Sequence, residues 1–99
     1  MRNIPLILAD AGITAREYWV ERDDARDPRG LVMNISRVGP TTSFIPHVLR
    51  LLALTDEHGI ITGYLSQLQS YYRGETYTRK PQRHEDEDSL LATVRDFLA

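Results

Sequence analysis

Positions 31–38 alternate. Leu31, Met33 and Ile35 fall on one side and Asn34 and Ser36 on the other, the period of a half-buried strand. Upstream, REYWVER (16–22) is rich in strand-favouring residues, with Tyr18 and Val20 on one face and Trp19 on the opposite one. The intervening DDARDPRG (23–30) is charged and ends in a proline and a glycine, so it reads as an exposed connector. Residues 16–38 therefore predict an antiparallel hairpin with a long solvated loop. Two short runs add candidate strands. One is 4–9, where Pro5 restricts it to a first or edge position, and the other is 75–79, which alternates briefly before Pro81. Helix is the rival reading for 4–20, because Leu8, Ala9, Ala15 and Arg16 are good helix formers.

The pattern then lengthens to a helical period. TTSFIPHVLRLLALTDEHG (41–59) has start signals in Thr42, Ser43 and Pro46 and a stop in Gly59, so a helix is predicted near 45–58. Ile45, Val48, Leu49 and Leu52 cover much of its circumference, which should make it the most buried element. A second helix is predicted over 61–73 from Ile60, Ile61, Tyr64, Leu65, Leu68, Tyr71 and Tyr72, closed by Gly74. A third, at 88–98, carries a strict stripe of Leu90, Leu91, Val94, Phe97 and Leu98 behind the acids at 85–88, where the helix dipole favours negative charge. The expected fold is α+β: one domain over 1–99, a small antiparallel sheet packed against about three helices. Leu31, Met33, Ile35, Val48, Leu52, Leu65, Leu91 and Val94 are its expected core.

Composition narrows the functions on offer. A chain of 99 residues buries only about 60–65% of its unfolded surface, which leaves little room for a deep substrate cavity. Without cysteine there is no disulfide, thiol nucleophile or thiolate-bound zinc. No apolar run approaches the roughly 18 residues of a membrane helix. The run Ile4–Ala9 is shorter than the roughly 7–15 residues of a signal-peptide core and contains Pro5, so a cytoplasmic protein without membrane contact is expected. The net charge of −2 is unevenly spread. Segment 71–84 holds Arg73, Arg79, Lys80 and Arg83 against Glu75, a net +3, which leaves −5 on the remainder.

Candidate chemistry is sparse. His47 and His58 would lie about 16 Å apart along one helix and cannot share an ion. His84 precedes Glu85, Asp86, Glu87 and Asp88, but consecutive residues rarely converge on a cation, and an acidic helix start explains them. There is no dinucleotide fingerprint and no P-loop, and no serine stands in a nucleophile elbow. Neither metal nor cofactor is expected, and an enzyme is unsupported. Residues 37–47 place Arg37, Gly39 and three hydroxyls before a helix start, a weak candidate for an anion or ligand site that ordinary capping also explains. A helix-turn-helix centred on Gly59 would expose Ser66, Gln67 and Gln69, side chains suited to reading bases. Thr55 and His58 stand where smaller or apolar residues are wanted.

The aromatic-basic segment 71–84 carries the functional expectation. Tyr71, Tyr72 and Tyr77 interleave with the basic residues of 71–84, a mixture that anchors protein interfaces and also stacks bases and neutralises phosphates. Tyr71 and Tyr72 are expected to pack at home, leaving Arg73, Tyr77, Arg79, Lys80 and Arg83, with Trp19, as interaction residues. The expectation is a non-catalytic interaction or regulatory module of bacterial or phage type, an inhibitor or adaptor that docks a protein. A small nucleic-acid-binding protein using the same segment is the alternative, and an enzyme or ligand-binding domain comes third. Homo-oligomerisation is left open.

Overall fold

The computed structural model describes residues 1–13, 18–21, 26–37 and 47–99. Asn3 begins the first element. Its side-chain oxygen accepts from the Leu6 N–H at 3.2 Å, Pro5 occupies the first turn, and helix α1 runs Ile4–Asp10. The strand expected at 4–9 is thus a helix, the rival reading. Proline two residues after an N-capping asparagine is a helix-start signal, whereas the edge-strand argument used only its missing N–H.

Strands β1 (Tyr18–Glu21), β2 (Val32–Arg37), β3 (His47–Thr55), β4 (Ile61–Tyr72), β5 (Glu75–Thr78) and β6 (Gln82–His84) form one antiparallel sheet in the order β1-β2-β3-β4-β5, with β6 also on β4. Helix α2 (Glu87–Leu98) follows. The hairpin expected within 16–38 is present as β1 and β2, which pair Trp19 with Ser36 and Val20 with Ile35. The short strand near 75–79 is β5, and the helix expected at 88–98 is α2, N-capped by Asp86 onto the Ser89 N–H at 2.8 Å.

The helices expected at 45–58 and 61–73 are strands β3 and β4, so the three helices become two among the described residues. In HVLRLLALT, apolar residues stand at both i+2 and i+3/i+4, and either period fits. The turn decides. Asp56 Oδ1 accepts from the N–H groups of His58 (2.8 Å) and Ile60 (3.0 Å), and Gly59 takes φ +77°, which reverses the chain into a hairpin. β4 then returns along β3 with Leu49 opposite Leu68, Leu51 opposite Ser66 and Ala53 opposite Tyr64. At its far end Arg73 and Gly74 both have positive φ (50° and 80°), the signature of a two-residue type I′ hairpin turn, and not the end of a helix.

β5 and β6 lie end to end on the outer edge of β4. Thr78 pairs with Gln69 and Gln82 with Ser66, so three residues, Arg79–Pro81, oppose two on β4. This one-residue bulge shifts the register and turns His84 inward opposite Tyr64.

The core lies between one sheet face and the two helices. Met33, Ile35, Leu49, Leu51, Ala53 and Tyr64 meet Ile4, Ile7 and Leu8 of α1 and Leu90 and Val94 of α2. Met33, Ile35 and Val94 match the expected core, and Leu31 and Leu91 pack partly buried against it. Val48, Leu52 and Leu65 do not join it: they are half-buried, on the opposite sheet face. A helical period had grouped Val48 with Leu52, whereas a strand sends Leu49, Leu51 and Ala53 inward.

Candidate functional site

β4 has twelve residues, and only its first half lies under α2 and β6. Its second half stays paired with β3 as far as Ser70 and takes on β5 from Gln69, so only its last two residues and the turn project beyond β3. This end of the β4–β5 hairpin is the arm, and all four residues of β5 are exposed. The I′ turn sets Arg73 at the tip, exposed. Tyr77 is 52% exposed, and its hydroxyl donates to Glu75 Oε2 at 2.7 Å. That hydrogen bond, with a smaller contribution from burial, raises the phenol pKa. Arg79 is held by its backbone: its N–H donates to Leu68 O (3.0 Å) and its carbonyl accepts from Gln67 Nε2 (3.0 Å). The bulge therefore fixes the chain where Arg79 and Lys80 stand exposed. Arg83, on β6, pairs with Glu85 at 2.6 Å with its side chain 54% exposed.

The structure thus brings Arg73, Tyr77, Arg79, Lys80 and Arg83 onto one edge of the sheet, with Tyr77, opposite Ser70, on the side that carries the helices and Arg83, opposite Leu65, on the other side. Trp19 does not join them. It sits on β1, with β2, β3 and β4 between, roughly 19 Å away at about 4.8 Å per strand, and its side chain lies outside the described residues. The side chains of Tyr71 and Tyr72, and residues 38–46 of the candidate anion site, also lie outside them. Arg50 is an addition. It is exposed on β3 and pairs with Gln67, the residue that holds Arg79. Inside an expected helix it had no reason to be grouped with the basic segment.

The helix-turn-helix around Gly59 is not formed, because both flanking segments are strands. Ser66, expected on its exposed face, is buried. It is hydrogen-bonded at 2.7 Å to His84 Nε2, whose Nδ1 meets Ser89 Oγ at 2.8 Å. Burial lowers the His84 pKa, and Asp86 opposes the shift. A serine at this distance from an imidazole has the spacing of a nucleophile and base, but both groups are buried and the second nitrogen meets a hydroxyl where a carboxylate would orient a base. The cluster ties β4, β6 and α2 together. No sequence signal marked it, since its members lie 18 and 5 residues apart and meet only through the bulge.

His47 bonds Ser70 Oγ at 2.8 Å across β3 and β4, and His58 is exposed in the turn beside Glu57. Among the described residues no three His, Asp or Glu side chains are placed to hold a metal ion. No described helix is long and apolar enough to cross a membrane.

No family model matches the chain, and neither does any curated protein or solved structure. The functional reading rests on the geometry alone.

Proposed function

We propose that the protein is a non-catalytic interaction module that docks an acidic surface of a partner protein through the β4–β5 arm and the bulge that follows it. Arg73, Arg79, Lys80 and Arg83, with Arg50 beside them, are the charged contacts, and Tyr77 is the apolar anchor. One observation carries the reading: four cations and a half-exposed tyrosine share one sheet edge, in a segment (71–84) that nets +3 while the chain outside it nets −5. Tyrosine and arginine are the residues that most often dominate interface energetics, and a tyrosine held by Glu75 has less freedom to lose on docking. The inhibitor or adaptor role and the cytoplasmic setting belong to the same proposal.

The test begins with a photo-crosslinking residue at position 77 in the native host, identification of the crosslinked protein, and reconstitution from purified components. The Arg79→Ala, Arg83→Ala double variant should weaken the reconstituted complex at least tenfold, about 1.4 kcal/mol, at an unchanged thermal midpoint. Tyr77→Ala should do comparable damage. A crosslinked partner that binds both variants as tightly as the parent would overturn the reading.

A further inference from the structure

The end of the sheet away from the arm carries a second candidate site. An open cavity of about 550 Å³ lies between the N-terminal segment, the loop before β2 and the β3–β4 turn, within the range of small-ligand sites. Its walls are tied together. Asp27 Oδ2 accepts from the Val32 N–H at 2.7 Å, the Asn3 amide donates to Arg29 O at 3.5 Å, and Arg29 Nη2 donates to Gly59 O at 2.6 Å. A side chain at Gly59 would press on the guanidinium, with Nη1 3.2 Å from its Cβ, so the glycine both makes the turn and admits the arginine. Among the described residues the guanidinium meets a neutral carbonyl, and no carboxylate pairs with it. Around this cation stand Leu31, Ile60, Ile61 and Met1. Ile60 and Met1 are 60% and 53% exposed, two of the few large apolar side chains that the described surface presents to solvent.

A single fixed guanidinium beside aliphatic side chains has a specific chemical complement. We infer that this cavity binds an aliphatic monocarboxylate, with the carboxylate on Arg29 and the hydrocarbon along Leu31, Ile60 and Ile61. Arginine presents paired N–H donors that match a carboxylate, and the hydrocarbon removes from water the apolar surface that Ile60 and Met1 leave exposed. The site stands apart from the arm at the other end of β4 and is independent of the docking proposal.

Octanoate, octanol and octylammonium share a chain and differ in charge, so an amide-resolved NMR titration of the intact protein separates the contributions. Octanoate should give saturable shifts at Leu31 and Gly59–Ile61, at least tenfold tighter than octanol, with octylammonium weaker still. Arg29→Gln should abolish the preference for octanoate while the spectrum stays dispersed. A blocked dipeptide ending in leucine distinguishes the source: tighter binding than octanoate, with the same dependence on Arg29, assigns the site to a peptide C-terminus, and weaker binding assigns it to a free aliphatic acid. Equal affinity for the three octyl probes, shifts centred elsewhere, or saturation by neither carboxylate would each overturn the inference.

Discussion

His84 joins three elements through one ring. As a neutral imidazole it donates from one nitrogen and accepts at the other, which suits the two serine hydroxyls on either side. Protonation would bury a cation and force one hydroxyl to turn, and burial accordingly holds the folded pKa below 6.5, against the pull of Asp86. Between that folded value and about 6.5 the unfolded chain binds more protons than the folded one, so stability rises with pH. The contribution is fully present above pH 6.5 and is lost as pH falls through the folded pKa. Denaturant midpoints measured from pH 7.5 to 5 should therefore fall more steeply for the parent protein than for His84→Gln, which should itself cost about 1–3 kcal/mol at neutral pH by leaving buried hydroxyls unpaired. Parallel pH profiles would remove the histidine from this role. Tyr64 follows the same logic at the other end of the scale. Its buried hydroxyl donates to Arg2 O at 2.5 Å, and burial, reinforced by Glu87, pushes the phenol up to about 12. Tyr64→Phe should cost about 1 kcal/mol near neutral pH, read from chemical denaturation. The stability that the hydroxyl supplies should persist to pH 10 and decline as pH rises through 12.

At the scale of elements, turns decided what hydrophobic periodicity left open. The β1–β2 hairpin and α2 were legible because each carries one unambiguous period and clear punctuation: Pro28 and Gly30 before β2, Asp86 before α2. β3 was not legible, because six of its nine residues are Val, Leu or Ala and satisfy both periods at once. Its strand pairing is set by contacts with β2 and β4 that no local window contains. The Asp56–Gly59 and Arg73–Gly74 turns were the available signals, and each glycine was read as a helix stop when its positive φ serves a hairpin. The basic edge survived this error, because Gly74 and Pro81 bound an exposed segment under either reading. The His84 cluster and the Arg29 cavity did not, since both depend on residues that meet only in the folded chain. Arg73 offers a direct test of the turn. A non-glycine residue in the left-handed region is strained, and asparagine tolerates it better, so Arg73→Asn should stabilise the protein by about 0.5–1 kcal/mol. A loss of stability would show that the Arg73 side chain contributes more than the turn geometry costs. For α2, Leu90→Ala should cost about 2–5 kcal/mol and Phe97→Ala less, because Leu90 is fully buried and Phe97 only partly. Equal losses would contradict the packing described.

For the whole molecule, the arrangement of charge matters more than its sum. The long axis is 42 Å, and the twelve residues of β4 account for roughly 40 Å at about 3.4 Å each. Near the end of the sheet that α2 covers, Arg2 donates to both Asp10 and Glu87, a cluster that keeps one net negative charge. Exposed charges more than about 8 Å apart are largely screened at physiological ionic strength, so a partner at the arm meets its local cations and not the net −2 of the chain. The same screening limits how far the distant acids deter a nucleic acid, and contact number then decides between polyanion and protein. Arg73, Arg79, Lys80, Arg83 and Arg50 can neutralise at most five phosphates, with Glu75 among them and Glu85 already paired to Arg83. Binding to random duplex DNA should accordingly show a log–log salt slope no steeper than about −4.5 and be negligible at about 0.15 M salt. A protein partner that also buries Tyr77 keeps a salt-independent apolar share, so its complex should persist under the same conditions and lose that share in Tyr77→Ala. Tight DNA binding at 0.15 M salt, flattened by the Arg79→Ala, Arg83→Ala pair, would instead assign the basic edge to nucleic acid.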